Sequence, residues 1–445
     1  MANIYNFSRN ALLKRIGLPP GKKIIIFLIT LVVITIPMGN VYNSISVIFF
    51  VLYSVLSARR QDFSVSPALL LPLLLFLLMV LSLSWSIDVK SSLKALGKEA
   101  SLVFIPLAFM LNRKLTRRGA NDVLKNYSLV MCLVALYFFI RAIIRYTETG
   151  STNVFFYHEL STFKINAIYL SVILSMALFV FLSKKNKTFW GYAAMLFLLV
   201  MVFMLSSKNI ILIDILLIIS YYLFFSGLPK KVMFTTIGVF CIMAVLMGYY
   251  GKVYERIVHE IGPGRHTTAG DIHNVTMSEA WNRKTFAENH YFNGTAFRTY
   301  QARIFTEMIN EDPVFFTGYG LNASAKKIEQ KGIEHKVYHE NKEKLGYNKL
   351  NFHNQYIEAF ADLGFFGFAL LIGAVLLNLK NGIKVKYFIH IAFAILMISL
   401  FLTESFLWRQ RGVVFFTIFY SLFNDLLPVG TANAGHEKTH IRQPI

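Results

Sequence analysis

Apolar runs of membrane-crossing length recur from Ile24 to Leu427, and they leave this chain few folds. About 20 mainly apolar residues cross a bilayer as a helix, and the lack of water there forces backbone groups to pair within the segment. Twelve runs qualify, from Ile24–Gly39 to Val413–Leu427; the fourth, Leu93–Leu111, carries Lys94, Lys98 and Glu99 in its first turns. The second, Ser44–Ser57, and the eighth, Ile210–Phe225, are short. Charged residues make up 16% of the chain and hydrophobic ones 55%, against roughly 25% and 45–50% in soluble domains. With 41 Phe and 22 Tyr, intrinsic disorder is excluded. The fold expected is an all-α polytopic membrane protein of about twelve transmembrane helices.

The net charge of +21 would suggest nucleic acid in a soluble protein. Its distribution argues otherwise. Lys22-Lys23, Arg59-Arg60, Arg113 to Arg118, Lys184 to Lys187, Lys230-Lys231 and Lys380 to Lys386 fall in every second connection, the pattern of cytoplasmic loops. No nucleic-acid partner is expected; membrane lipids are. Both termini then face the cytoplasm, and the first apolar run stays as an anchor because it lacks a small-residue cleavage site. The chain divides into a cytoplasmic segment 1–23, spans 24–249, an outward loop subdomain 250–352, spans 353–428 and a cytoplasmic tail 429–445. A structureless loop of that length is uncommon, so the outward segment is expected to fold. Within it Thr299 to Asn310 reads as an amphipathic helix, with Ile304, Phe305, Met308 and Ile309 buried, ended by Pro313 and the Gly318-Tyr319-Gly320 turn. Cys132 and Cys241 sit in apolar runs without metal-ligand spacing.

Ionisable residues near lipid are costly and mark functional sites. His353 and Asn354 open the tenth span, and nine residues later comes Gly364-Phe365-Phe366-Gly367, where the small residues let another helix approach below the His-bearing end. As an interfacial residue His353 would only cap the helix start. Arg303 leads the loop helix toward Asp312-Pro313; alone, it would be a solvated charge. Lys208, in a short and otherwise uncharged outward connection, is either a snorkelling lysine or an anion contact. Glu404, Arg409 and Arg411 crowd one short outward turn as an ion pair or an anion clamp. Arginine binds phosphate oxygens as a two-pronged fork and lysine as a point charge, so this collection suits a lipid-linked phosphate or pyrophosphate. Nucleophile motifs, phosphate loops and zinc-protease helices are missing. His335 and His339, spaced i,i+4 beside Glu334 and Glu340, lack the apolar surroundings of a metal site, and no metal is expected.

The residues His353-Asn354, nine further residues and Gly364-Phe365-Phe366-Gly367 resemble the signature of the bacterial O-antigen ligases, within the wider O-antigen ligase and polymerase superfamily. Arg303 to Gly320 resembles the family's arginine, acidic-Pro step and Gly-x-Gly turn ahead of the His. Ser207-Lys208 departs from the family's usual Ser-Arg, keeping the charge and losing the fork. The resemblance implies a GT-C-like glycosyltransferase of the bacterial inner membrane, with its active site facing the periplasm. It implies transfer of a glycan from undecaprenyl pyrophosphate to a sugar hydroxyl of lipid A–core oligosaccharide, in lipopolysaccharide biosynthesis, without cofactor or required metal. His353 is then the general base or a pyrophosphate ligand, an unperturbed imidazole titrating at about 6.5. Arg303 completes the catalytic pair, and Lys208, Arg409, Arg411, Asn354 and Glu404 surround the pyrophosphate.

The alternatives are a polymerase of O-antigen or capsule, or a protein O-oligosaccharyltransferase, each using the same donor. The His signature favours the ligase. A lipid-linked glycan transporter would call for inverted repeats or interrupted spans, and the sequence offers neither.

Overall fold

The computed structural model describes residues 21–59, 62–112, 115–161, 165–205, 207–250, 273–337 and 346–426. Most of the segments at 1–23 and 429–445, and His339 with Glu340, lie outside the described residues.

The first helices are α1 (Lys22–Thr35), α2 (Asn40–Ser57) and α3 (Pro67–Leu81). Buried polar groups zip the α1–α2 hairpin: Asn43 Nδ2 donates to the Val32 carbonyl at 3.1 Å, and the Thr35 and Ser46 hydroxyls meet at 2.8 Å. The fourth apolar run is divided between α4 (Val89–Glu99) and α5 (Ser101–Met110). Its first half is amphipathic and capped by Asp88, whose carboxylate accepts from Ser91 N–H, so charge pattern and cap set it apart from the apolar second half. Next come α6 (Arg117–Thr149), α7 (Ala167–Ser183), α8 (Phe189–Met204), α9 (Lys208–Phe224) and α10 (Lys230–Tyr250). The last three long helices are α14 (Gln355–Val385), α15 (Phe388–Phe401) and α16 (Gln410–Asp425).

Each apolar run of the sequence coincides with a helix or, for the fourth, a helix pair. Among the described residues, four helices are long and apolar enough to cross a membrane: Asn40–Ser57, Pro67–Ser84, Arg117–Thr149 and Gln355–Val385. Shorter apolar helices stand among them, as in Ala167–Ser183 and Phe388–Phe401. A helix apolar on all sides belongs inside a bundle, and α7 and α16 follow that rule, with α16 buried from Arg411 to Asp425. Outward faces remain apolar too: Leu133 is 65% exposed and Phe224 77%. Such a surface suits lipid and not water. The chain is an all-α membrane protein.

Between α10 and α14 lies a smaller unit with its own core. It contains β1 (His273–Val275), α11 (Met277–Asn282), β2 (His290–Phe292), α12 (Gly294–Glu311) and α13 (Ser324–Glu334). The two short strands pair in parallel, His273 opposite His290. Phe286, Phe292, Tyr300, Ile304, Met308 and Phe352 pack in its interior. The loop helix starts before Thr299 because Asn293 caps it, its side chain accepting from Thr295 and Ala296 N–H.

The glycines of the tenth apolar run admit a loop, where the sequence suggested a helix. Gly364 has φ +66° and ψ −164°, which breaks α14. The segment after Pro313 lies in the gap. Tyr319 N–H donates to the Ala361 carbonyl (2.9 Å), Gly320 N–H to the Asp362 carbonyl (2.8 Å), and Phe365 N–H to the Phe315 carbonyl (2.9 Å). A Cβ at Gly364 would collide with the Phe316 carbonyl, and one at Gly318 with the Asp362 backbone.

Candidate functional site

His353 is the hinge between the loop unit and α14. Its backbone is left-handed, φ +49°, and Asn354 follows as the N-cap, its side chain accepting from Tyr356 and Ile357 N–H. The cap amide also donates to the Leu402 carbonyl at 3.1 Å, which ties the helix start to the turn after α15. In that turn, Glu404 Oε2 lies 3.2 Å from His353 Nδ1. The carboxylate is buried and the imidazole half-buried, with the Phe297 ring edge-on to it at 5.6 Å. An ionised carboxylate only accepts, so this contact calls for the hydrogen on Nδ1, which in a neutral imidazole puts the lone pair on Nε2. Glu404 therefore orients the imidazole. The pyrophosphate contact expected of it does not suit a carboxylate, which repels an anion.

Arg298 reaches the same turn. Its Nε and Nη2 donate to the Thr403 carbonyl at 3.0 and 2.9 Å, one residue from Glu404. Asn209, next to Lys208, donates to the Thr403 hydroxyl (2.8 Å) and the Ser399 carbonyl (2.9 Å). The starts of α9, α12 and α14 thus converge on residues 399–404, which brings Lys208 to the His353 end of the bundle. Arg409 is exposed just beyond, its guanidinium 5.7 Å from the centre of the Tyr169 ring.

Two expected cations are engaged elsewhere. Arg303 Nε pairs with Glu307 at 2.8 Å, and its Nη1 donates to the Arg283 carbonyl at 2.6 Å and the Ala280 carbonyl at 3.4 Å. It lies two turns from the start of α12 and fastens the end of α11; Arg298, near that start, meets the His-bearing turn. Arg411 is buried, with Nε on the Ile36 carbonyl (2.8 Å) and Nη2 on the Met38 carbonyl (2.7 Å). It clamps the α1–α2 turn. His335 also has its ring nitrogens taken, Nδ1 by the Tyr300 hydroxyl (3.2 Å) and Nε2 by Glu307 (3.2 Å), and burial pushes it below the usual histidine range.

Beneath the dyad lie carboxylates that the sequence, read as apolar spans, did not single out. Glu358 accepts from the Ser405 hydroxyl (3.0 Å) and from Phe352 N–H (3.3 Å). Asp362 accepts from the Ser324 hydroxyl at 2.6 Å and from Asn322 N–H at 2.7 Å, locking the loop unit onto α14. Both line a small cavity of about 40 Å³ with Glu99 and Lys98. The helical spacing of Glu358 and Asp362 was the available signal: i,i+4 places both acids on one face. On the other side of Asn354 opens an apolar groove of about 510 Å³, walled by Phe360, Phe368, Ile372, Val375 and Ile398.

An oriented imidazole beside cations and an apolar groove can take a proton from a hydroxyl while an anionic lipid head is held nearby. Residues 193–372 match the protein family described as O-antigen ligase, a stretch that includes Lys208, Arg298, His353 and both glycine motifs. No curated protein matches the chain.

Proposed function

We propose that this chain, whose residues 193–372 match the O-antigen ligase family, transfers a glycan from undecaprenyl pyrophosphate to a sugar hydroxyl of lipid A–core oligosaccharide at the periplasmic face of the inner membrane. The observation that carries the reading is the His353–Glu404 pair, 3.2 Å apart at the entrance of α14, with Arg298 on the adjacent residue. His353 Nε2 removes the acceptor proton as the hydroxyl attacks the anomeric carbon. The bond to the pyrophosphate oxygen breaks, and undecaprenyl pyrophosphate departs with its negative charge. Arg409 and Lys208 face that charge from the rim, and Arg298 holds the turn on which Glu404 sits. These cations supply electrostatic stabilisation of the kind a divalent metal gives elsewhere. The apolar groove beside Asn354 suits the isoprenoid tail. This reading takes a twelve-span GT-C-like layout with the 250–352 unit outward, so that the His353 end of the bundle meets the periplasm.

The test is reconstitution of the purified chain with a defined undecaprenyl-pyrophosphate glycan and lipid A–core. Glycan should appear on the acceptor, persist in excess EDTA, and be lost in His353→Ala at unchanged protein level. Donor chains that lengthen while the core stays unmodified would make the protein a polymerase. Activity that collapses with chelator and returns with magnesium would end the metal-free mechanism.

A further inference from the structure

A second cavity, of about 500 Å³, opens at the opposite end of the bundle from His353. Helix α15 sets the relation: its last residue, Phe401, leads to Glu404, and its first, Phe388, lines this cavity. Arg117 and Lys125 enter from α6, Lys184 and Lys185 from the end of α7, and Lys386 from the end of α14, with Asp122 the acid among the lining residues. The floor is aromatic, the Phe388 ring lying 4.9 Å from Tyr221 and 5.4 Å from Phe225. One cation is already fixed in place. The Arg117 guanidinium lies 4.5 Å from the centre of the Tyr387 ring, and the Tyr387 hydroxyl donates to Asn121 Oδ1 at 2.7 Å.

Lysines at the inner end of a membrane protein follow from charge bias alone, and on a convex surface they would carry no further meaning. Here three separate helix ends deliver them to one concavity, above an apolar floor. From its rim an exposed stripe runs down α6 toward the bilayer centre: Leu129 (48% exposed), Leu133 (65%), Leu136 (43%) and Ile140 (47%). The spacing is i, i+4, i+7, i+11, one face of a helix. Clustered cations above an apolar track match one chemical class, a phosphate carried on acyl chains.

We propose that this cavity binds an anionic glycerophospholipid of the cytoplasmic leaflet, with its phosphate among Arg117, Lys125, Lys184 and Lys386 and an acyl chain along the Leu129–Ile140 stripe. The inference stands apart from the ligase reading and needs only the membrane setting, with the basic connections facing the cytoplasm.

Native mass spectrometry of the full chain, titrated with phosphatidylglycerol or phosphatidylethanolamine, tests it. Phosphatidylglycerol should bind saturably and the zwitterionic lipid should not. Lys125→Gln/Lys184→Gln/Lys386→Gln should weaken phosphatidylglycerol by about tenfold to a hundredfold, from the usual contribution of a basic residue at a lipid surface. Lys230→Gln/Lys231→Gln/Lys380→Gln removes three exposed lysines that do not line the cavity and should leave binding unchanged. Equal loss in both triples means diffuse attraction to a basic face and overturns the proposal, as does an unaffected cavity triple. Millimolar inorganic phosphate distinguishes the source: full displacement of the lipid would make this a soluble-phosphate pocket and end the lipid assignment.

Discussion

At His353 one ring nitrogen is held by a buried carboxylate, and the proposed reaction uses the other. The consequence is a division of labour that substitutions separate. Glu404→Gln keeps the side-chain volume and removes the charge that favours the productive tautomer. Transfer should fall by about ten- to several-hundred-fold, the range for a positioned acid–base group, with thermal stability near wild type. Equal activity would remove the pair from the mechanism. The two arginines of α12 should part in the same assays. Arg298→Ala should lower transfer in a protein that still folds, because its fork holds the Thr403 carbonyl beside Glu404. Arg303→Ala should instead lower the melting temperature, by the equivalent of about 1–3 kcal/mol for partly buried carbonyl and carboxylate partners left unpaired.

Among elements, the decisive contact joins two glycine motifs that are separate in the sequence. Gly318-Tyr319-Gly320 and Gly364 form a single structure, a loop laid into a broken helix with backbone bonds on both sides of the break. Any side chain at Gly364 meets the Phe316 carbonyl and must also hold φ at +66°. Gly364→Ala should therefore destabilise by more than about 1–3 kcal/mol, the cost of the backbone strain alone. It should also expose the 315–320 segment to limited proteolysis. Unchanged proteolysis would mean that the loop is held by Asp362 and its partners and not by the break.

At the scale of the whole molecule, the loop unit carries a response to acid of its own. Two histidines of the loop unit, His290 and His335, are held below their ordinary range, in each case chiefly by burial. The unfolded chain then binds more protons than the folded one as pH drops below about 6.5, so their stabilising contribution is complete above that value and lost beneath it. Lowering the pH from 7.5 to 5.5 should depress the melting temperature of the loop unit. Replacing both, as His290→Asn with His335→Gln, should flatten that dependence. A slope that the double variant leaves unchanged would assign the pH response to other groups.

The sequence by itself determined the membrane class, because hydropathy is additive along the chain and a run such as Pro67–Ser84 is long and apolar enough to cross a bilayer. It also marked His353 with its downstream glycines, and the turn from Glu404 to Arg411, since charge beside apolar runs stands out against its neighbours. What each charge touches was decided by tertiary structure. Arg298 and Arg303 are five residues apart on one helix, and nothing local tells the arginine that meets the Thr403 carbonyl from the one that fastens α11. Arg411 likewise reads as an anion clamp until α16 is packed against the α1–α2 turn, whose carbonyls take its guanidinium. Glu404 found its imidazole across 51 residues of chain. A guanidinium or carboxylate pairs with whatever packing brings within about 3 Å, and that distance is a property of the fold.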